Sequence, residues 1–540
     1  MATAFMRWLE TRPADYDRGI QILTLGKLEP LQRQMVDEYI QEDWDVLEIG
    51  CGTGALTVML AESGANVTAI DRSKPMLEQA RIRIQDHESL SEIELVHMDA
   101  TGIADRFEPA IFDAVVSSLA FSEMSVQQQQ FVLAAARRLL RPTGVLLVLD
   151  EFKPSGPVPQ LISTLARLPL RLVTWLLTRT SSSALNGFKE RLTGNGFNPV
   201  HTKEILGGAL QVVCAELDTT LKIPDLSVPG MGRLHGHWTL QKVALEAWTL
   251  FFRILPPYPQ KESGLYEVGH PGPDSPVLVT GNYLLTVQRL VRAIDGHIDA
   301  WLLVVDSDGI NVWCGAGGGF LTAERVLSAW RLSALGQRVA HQKLILPELC
   351  ANGVDGWKIR KQSGWEVHWG PVKAKDIPAY LQSGMKKNDA MRLVSFPLLD
   401  RLEMMAATLG FYALMILVPI AIFWPSLLGL TTFSLLALST FYAVTLYWLP
   451  GRDGLQKGAP LAGIALLGLL VFTSFGDPIP VQQLFRRAVG LTGLSVFIGA
   501  ELQGMSPQMR GEQANWGWEV LIAIFLGLVY WLVPQIVGWR

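Results

Sequence analysis

From Met404 to Gly451 the chain runs for 48 residues without one charged side chain. A bilayer core needs about 20 apolar residues per helix. The run therefore predicts two membrane spans, at about 404–424 and 428–449, with Pro425 and Ser426 at the turn. A buried helix bundle of a soluble protein is the alternative, but so long an uncharged run suits lipid better than water. The neighbourhood agrees: Leu402 to Arg540 holds 12 charged residues in 139, whereas the preceding 401 residues hold the other 84. A third span is expected at about 459–475 and a weaker fourth between Arg487 and Glu501. A fifth is expected at about 518–537, with Trp516, Trp518, Trp531 and Trp539 near its ends as in an aromatic belt. Lys386, Lys387, Arg392 and Arg401 precede the first span and favour a cytoplasmic N-terminal side. Met1 to Pro30 mixes both charges and does not read as a signal peptide. The expectation is a multi-pass protein of the cell inner membrane, in contact with lipid, with its soluble domains in the cytoplasm.

The soluble part carries two chemistries. A net charge of −4 argues against a nucleic-acid partner. The cysteines are Cys51, Cys214, Cys314 and Cys350, with no CxxC pair, which speaks against a zinc site, an in-chain iron–sulfur cluster or a disulfide scaffold. Near the N-terminus a short apolar strand over 44–49 runs into Gly50-Cys51-Gly52-Thr53-Gly54, and a helix pattern starts at Ala55. Strand, glycine turn and helix let the backbone approach a ligand closely. A second strand, Asn66 to Ile70, ends in Asp71, an acidic residue placed to take ribose hydroxyls. A third, Ile93 to His97, leads to Asp99, and strands at Phe112 to Ser117 and Gly144 to Leu149 complete a parallel βα series.

The strings LEIGCGTGALT, AIDRS, HMDAT and RRLLRPTGVLLV resemble the class I S-adenosylmethionine-dependent methyltransferases over about residues 15–217. A nicotinamide-binding Rossmann domain is the alternative, less suited to GxGxG than to GxGxxG. The resemblance implies that Glu48, Gly50, Gly52 and Gly54 shape the methionine end, that Asp71 binds the ribose, and that Asp99 lies at the adenine edge. Gly196-Phe197 and Leu206 to Glu216 look like the family's closing strands. Residues Pro154 to Ser183 interrupt the pattern and read as a lid over the substrate or an interfacial amphipathic helix.

A polar linker rich in Pro and Gly follows, from about Asp218 to Arg233, and then a helix-like stretch, Gln241 to Leu255. Beyond it come GLYEVGHPGPDSPVLVTGNYLLTVQRL at 264–290, an apolar strand over Ala300 to Asp306, and the segment GINVWCGAGGGF at 309–320. A helix pattern runs from Thr322 to Leu335. A lone cysteine is usually a buried small hydrophobe. At the start of a helix, among glycines that are poor helix formers, a thiolate that admits a large ligand is the alternative reading for Cys314.

The string Asn311-Val312-Trp313-Cys314-Gly315-Ala316-Gly317-Gly318 resembles the HgcA family of mercury-methylating corrinoid proteins, whose signature is N-(V/I)-W-C-A-(A/G)-G-K. That family is related to the large subunit of the corrinoid iron–sulfur protein of acetyl-CoA synthesis. The flanks SPVLVTGNY, HQKLILPELCANGV and SGWEVHWGPVKAKDIPAYL also match, and the resemblance covers roughly residues 255–540. It implies a corrinoid (cobalamin) whose cobalt takes Cys314 as lower axial ligand, on a short cap helix. Thr280, Asn282, Asn311, Trp313, Gly315 and Gly317 then lie around the ring. A soft thiolate pushes electron density onto cobalt and eases loss of a carbanion-like methyl group, which an electrophilic metal ion accepts. Two positions depart from the signature: Gly318 stands where the family has Lys, and Gly315 where it has Ala.

The expected fold class is multidomain α/β plus membrane α-helical. A Rossmann-like S-adenosylmethionine methyltransferase occupies 1–217, a linker 218–254, an α/β corrinoid-binding domain 255–400, and a transmembrane helix bundle of about five helices 401–540. The expected function is a membrane-anchored, corrinoid-dependent methyltransferase acting on an acceptor such as Hg(II). A separate ferredoxin-like iron–sulfur protein is expected as electron donor. The alternative is a methyltransferase of a small or lipid-like substrate, fused to a corrinoid-binding membrane module without catalysis.

Overall fold

The alternation of short apolar strands with helices produces two parallel-type sheets. The computed structural model describes residues 13–85, 92–154, 184–218, 232–251, 260–412, 416–451, 455–475, 479–502 and 516–538. The expected lid and most of the expected linker lie outside these residues.

The first sheet has strands β1 (Asp45–Ile49), β2 (Asn66–Asp71), β3 (Ile93–His97), β4 (Phe112–Ser118), β5 (Leu140–Glu151), β6 (Phe197–Ile205) and β7 (Leu210–Leu217). Their order is β3-β2-β1-β4-β5-β7-β6. The first five are parallel, and β7 runs antiparallel between β5 and β6. Both faces are apolar: Val46, Ala69 and Leu147 pack into one core, and Leu47, Val115 and Leu146 into the other. Side chains that alternate along a strand require cover on both sides. That cover comes from α1 (Pro13–Leu23), α2 (Leu28–Tyr39), α3 (Ala55–Glu62), α4 (Lys74–Gln85), α5 (Val126–Leu139) and α6 (Phe188–Gly194). The strand order reverses between β1 and β4, and ligands of such sheets bind at that switch point, outside the carboxyl ends of the strands.

The second sheet runs β13-β12-β10-β11-β9-β8. Its strands are β8 (Arg233–Leu234), β9 (Gly264–Val268), β10 (Val277–Gly281), β11 (Ala300–Val305), β12 (Lys343–Leu346) and β13 (Glu366–Trp369). β10 to β13 are mutually parallel, and β9 is antiparallel to β11. The helices that matter below are α7 (Leu240–Phe251), α8 (Leu284–Ile294), α9 (Val312–Gly317) and α10 (Ala323–Leu332).

The C-terminal part is helical: α11 (Leu398–Tyr412), α12 (Val418–Phe423), α13 (Leu428–Thr445), α14 (Leu455–Phe475), α15 (Val481–Glu501) and α16 (Trp516–Ile536). Two helices are long and apolar enough to cross a membrane, Pro425–Thr445 and Gln456–Phe475. Only 22% and 17% of their respective residues are buried, unlike the core helix of a soluble bundle. Phe433, Phe441, Leu467 and Phe472 stand exposed on them. The expected first span is not one described helix. α11 is described as far as Tyr412, residues 413–415 lie outside the described residues, and the chain is helical again from 416 into α12. α16 covers 21 residues over the fifth expected span, and its fully described apolar stretch is Ile524–Ile536.

Two cations finish the carbonyls at the end of α13. Arg401 is buried and donates to Ala443 O at 2.6 Å, and Lys457 is buried and donates to Leu446 O at 2.7 Å. The last carbonyls of a helix lack intrahelical partners, so a buried end requires such donors. The start of α11, the end of α13 and the start of α14 thereby share one level.

Candidate active site at two sheet edges

The turn after β1 is built from glycines that no other residue replaces cheaply. Gly50, Gly52 and Gly54 have φ of 76°, 54° and 80°, a region that side chains with a Cβ avoid. A Cβ on Gly50 would lie 2.5 Å from that of Ala120, and one on Gly54 2.9 Å from that of Ala80. Asp71, at the end of β2, accepts hydrogen bonds from Gly52 N (2.8 Å) and Ser73 N (2.7 Å). Each carboxylate oxygen keeps a second lone pair for a diol. Asp99 accepts from Thr101 N (2.9 Å) and Thr101 Oγ1 (2.6 Å), fixing the turn over Ala100–Gly102. Together they line an open cleft with Ile49, Gly50, Ile70, Met98, Glu123, Met124 and Gln128.

Glu48 does not line the cleft. It is buried in β1, accepts from Thr57 Oγ1 at 2.6 Å, and burial pushes its carboxyl up to about 7. Its part is to tie the strand to α3. The N-terminal helix closes on the glycine turn. Tyr16 faces Gly52, and Asp17 accepts from Thr53 Oγ1 at 2.6 Å and pairs with Arg83.

Two acidic residues that no motif marks complete the edge. Asp150, at the end of β5, is fully buried and accepts from Ser122 N (3.1 Å); burial raises its carboxyl to about 7. Glu123 pairs with Arg72 at 3.5 Å, and desolvation raises it too. A sulfonium cation fits this donor-and-carboxylate set, because its charge offsets the cost of keeping the buried acids ionised.

The edge of the second sheet is organised by one asparagine. Asn282 follows β10 and is buried. Its Oδ1 accepts from Ser307 N (3.0 Å), Ser307 Oγ (2.9 Å) and Gly309 N (2.9 Å). Its Nδ2 donates to Asp306 (3.0 Å) and Gln260 (3.1 Å). The amide is thus spent on shaping the loop after β11. That loop delivers Asn311, whose side chain accepts from Cys314 N at 2.9 Å and caps α9. Gly353 packs so closely on the backbone of Ala316 that a Cβ there would collide with it. Gly315 and Gly317 leave room: their nearest neighbours to an added Cβ are Leu321 at 3.5 Å and Asn352 at 3.9 Å. Trp313 is partly exposed and stacks on Phe396 at 5.8 Å between ring centroids.

Two observations suit a large, soft-metal ligand here. Cys51, Cys214 and Cys350 are buried, and desolvation pushes their thiols up, to about 11 for Cys214 and about 12 for Cys350. Cys314 alone is partly exposed. At the carboxyl end of β10, Thr280 is buried with an Oγ1 that has no hydrogen-bond partner. A buried hydroxyl left open is costly unless a ligand completes it.

The two edges meet. From α10, Arg331 Nε donates to Asp105 at 2.7 Å and Ser328 Oγ accepts from Gln128 at 3.4 Å. Gln127 reaches Glu262 at 2.6 Å. A Cβ on Gly102, in the turn that Asp99 fixes, would lie 3.4 Å from Arg331 Nη2. Arg325 of α10 pairs with Asp308 at 2.8 Å and Asp306 at 3.3 Å. Arg325, with help from Arg72 across the boundary, overcomes desolvation and holds the Asp308 carboxyl below the usual range. The loop that carries Cys314 and the cleft wall of Arg72 and Glu123 therefore share one electrostatic cluster.

Comparison with known proteins assigns both sheets. Residues 46–144 match the family model "Methyltransferase domain", and residues 249–381 match "CO dehydrogenase/acetyl-CoA synthase delta subunit". An uncharacterised methyltransferase of Synechocystis sp. is 29% identical over 228 residues, 41% of this chain and 100% of that protein. Subunit gamma of the acetyl-CoA decarbonylase/synthase complex of Archaeoglobus fulgidus is 34% identical over 146 residues, 26% of this chain and 31% of that one. The corresponding subunit of Methanopyrus kandleri is 35% identical over 129 residues, 24% of this chain and 28% of that one. The chain spans about a third of the length of these gamma subunits. The chain is thus a methyltransferase in which an N-terminal methyltransferase domain is joined to a central domain like the delta subunit of CO dehydrogenase/acetyl-CoA synthase.

Proposed function

We propose that the chain is a membrane-anchored, corrinoid-dependent methyltransferase whose acceptor is a soft electrophile such as Hg(II), with S-adenosylmethionine held by the first domain. The observation that carries the proposal is the capped helix α9, which presents the one partly exposed cysteine at a sheet edge bearing an open buried hydroxyl. When bound, a corrinoid supplies a cobalt centre for methyl transfer, and S-adenosylmethionine supplies an electrophilic methyl on sulfur.

Each residue has a part in this reading. Asp71 takes the ribose, Asp99 and its turn border the adenine, and Gly50 to Gly54 admit the methionine end. Cys314, oriented through Asn311 and Asn282, would hold the cobalt through its thiolate, and the Thr280 hydroxyl would offer a hydrogen bond to the bound corrinoid. Gly318, where mercury-methylating relatives carry Lys, leaves the far end of α9 without that cation. The apolar helices over 425–445 and 456–475 support an inner-membrane anchor, and Lys386 to Arg401 support a cytoplasmic face for the soluble domains. Reduction of cobalt falls to a separate ferredoxin-like protein.

The test is the absorption spectrum of the full chain in detergent, reconstituted with cobalamin, for wild type and Cys314→Ala. A base-off, thiolate-ligated spectrum in the wild type that is lost in the variant is expected. Folded wild type that binds no corrinoid overturns the proposal. Label from methyl-labelled S-adenosylmethionine then separates the two arrangements. Recovery on the corrinoid links the domains, whereas recovery in a small molecule even with Cys314→Ala makes them independent.

A further inference from the structure

Helix α7 is inside out. Its residues Lys242, Glu246 and Thr249 follow an i, i+4, i+7 spacing and share one face, and that face is turned to the protein, while Gln241 is exposed at the edge of the other face. Lys242 Nζ donates to the carbonyls of His235 (2.7 Å) and His237 (3.1 Å). Glu246 pairs with Arg292 of α8. Thr249 is fully buried, and its hydroxyl donates to Leu245 O at 2.6 Å. The opposite face is apolar and open: Leu240 is 87% exposed and Trp248 58%, with Val243, Ala244, Leu245 and Ala247 exposed between them. Just before the helix, the Trp238 ring stands 59% exposed beneath the Arg292 guanidinium, 3.5 Å away.

A helix on a water-facing surface puts its apolar stripe inward and its charges outward. The reverse arrangement, held by the inward contacts of Lys242 and Glu246 with a buried Thr249 between α7 and the protein, suits an apolar medium outside. The position of α7 identifies that medium. It packs on α11, the helix that enters the uncharged run. The helix therefore adjoins the apolar tail, and the exposed Trp238 and Trp248 along the stretch suit the headgroup level.

We propose that α7 lies in the membrane–water interface with its outward face in the lipid, as a peripheral anchor that holds the central domain against the bilayer. The inference rests on the reading of the tail as membrane-inserted. Such helices sink about 5–10 Å into the boundary between headgroups and acyl chains.

Nitroxide accessibility in the full chain tests it. The protein is placed in phospholipid nanodiscs on a Cys314→Ser background, where the remaining cysteines are buried. Labels go on Ala244→Cys and, separately, Ala247→Cys, small exposed positions that leave the inward contacts intact. Phe433→Cys, 71% exposed on the helix over 425–445, reports on the tail. The expected result is oxygen collision several-fold above nickel-chelate collision at 244 and 247, as at 433. Nickel preference at 244 and 247 with oxygen preference at 433 overturns the inference and leaves the tail in the membrane. Exclusion of both reagents at 244 and 247 overturns it in favour of a protein cover, either a second copy or a partner. Nickel preference at all three positions removes the membrane reading and the inference with it.

Discussion

The two sheet edges solve one problem in opposite ways. In the proposed reading each holds a large cofactor outside the carboxyl ends of parallel strands. The first edge relies mainly on backbone: three alternate left-handed glycines around a cleft, with buried carboxyls such as Asp150 whose neutral form burial favours. The second uses side chains: Asn282 shapes a loop, Asn311 caps a short helix, and the thiol it presents is partly open. The first is a preformed slot for a ligand of fixed shape, the second a cap awaiting a surface to close on. The contrast teaches that the first site fails sterically and the second fails by loosening.

The largest effect should come from steric damage to the slot. Gly50→Val places branched carbon where a Cβ already comes within 2.5 Å of Ala120, at a φ of 76°. S-adenosylmethionine affinity should fall by more than about 100-fold, roughly 3 kcal/mol or more, measured by calorimetry. Cobalamin binding should be unchanged. Equal loss at both sites would show that the domains do not fold separately.

Next in size is Asn282→Ala. It removes the acceptor of Ser307 N and Gly309 N and a donor to Asp306. Orphaned buried groups of this kind cost about 1–3 kcal/mol each. Hydrogen exchange should accelerate across 306–318 and cobalamin affinity should drop, with S-adenosylmethionine binding retained. An unaltered exchange pattern would mean that the loop holds its shape without Asn282.

These two residues also show what was legible in sequence. The strands over 66–71, 93–97 and 300–305, the glycine turn, Asp71 and Asp99 were readable because local chemistry dictates them: apolar runs, left-handed turns and an acid at a strand end. Asn282 was readable as a residue near the site, but not as the hub of its loop, since its partners lie 22–27 positions away. Glu123, Asp150, Asp308 and Arg325 escaped altogether. Their pairing depends on how β5, α10 and the loop after β11 meet in space, and no spacing rule encodes that. The uncharged run was readable as membrane-like, and so was its division, since the turn expected at Pro425 and Ser426 lies just before the helix over Leu428–Thr445. Nor did composition reveal that α7 turns its charges inward, because that depends on Arg292 from α8.

A smaller effect sharpens the electrostatic half of the comparison. The Glu48 carboxyl is raised to about 7 in the folded chain, against an ordinary value near 4.5. Between those values the folded state holds a proton that the unfolded state has lost. Stability therefore falls as pH rises through this window and levels off above about 7. Glu48→Gln keeps an oxygen for the Thr57 hydroxyl and removes the titration. The methyltransferase domain should gain about 3 kcal/mol at pH 8 and almost nothing at pH 4, read by thermal melting at the two values. Asp150, raised in the same direction, leaves a residual slope of the same sign. A variant that melts lower at pH 8 would mean that the ionised Glu48 is stabilised by a partner instead.

The smallest effect concerns the cap helix. Gly315 stands where related signatures carry alanine, in a helix of six residues. An added Cβ meets Leu321 at 3.5 Å, an ordinary contact, and φ is not left-handed there. Gly315→Ala should therefore fit and stabilise α9 by about 1 kcal/mol. Slower hydrogen exchange over 312–318 should report it, with the global melting temperature almost unmoved. If cobalamin affinity rises with it, looseness of the cap is what limits binding. If the helix tightens and affinity stays constant, the thiol is already well placed by Asn311, and the contribution of α9 is position rather than stiffness. The equivalent change at Gly54 would strike Ala80 at 2.9 Å and be destructive. A glycine is indispensable in the slot and dispensable in the cap, because the slot uses glycine's conformation whereas the cap only tolerates its absence of side chain.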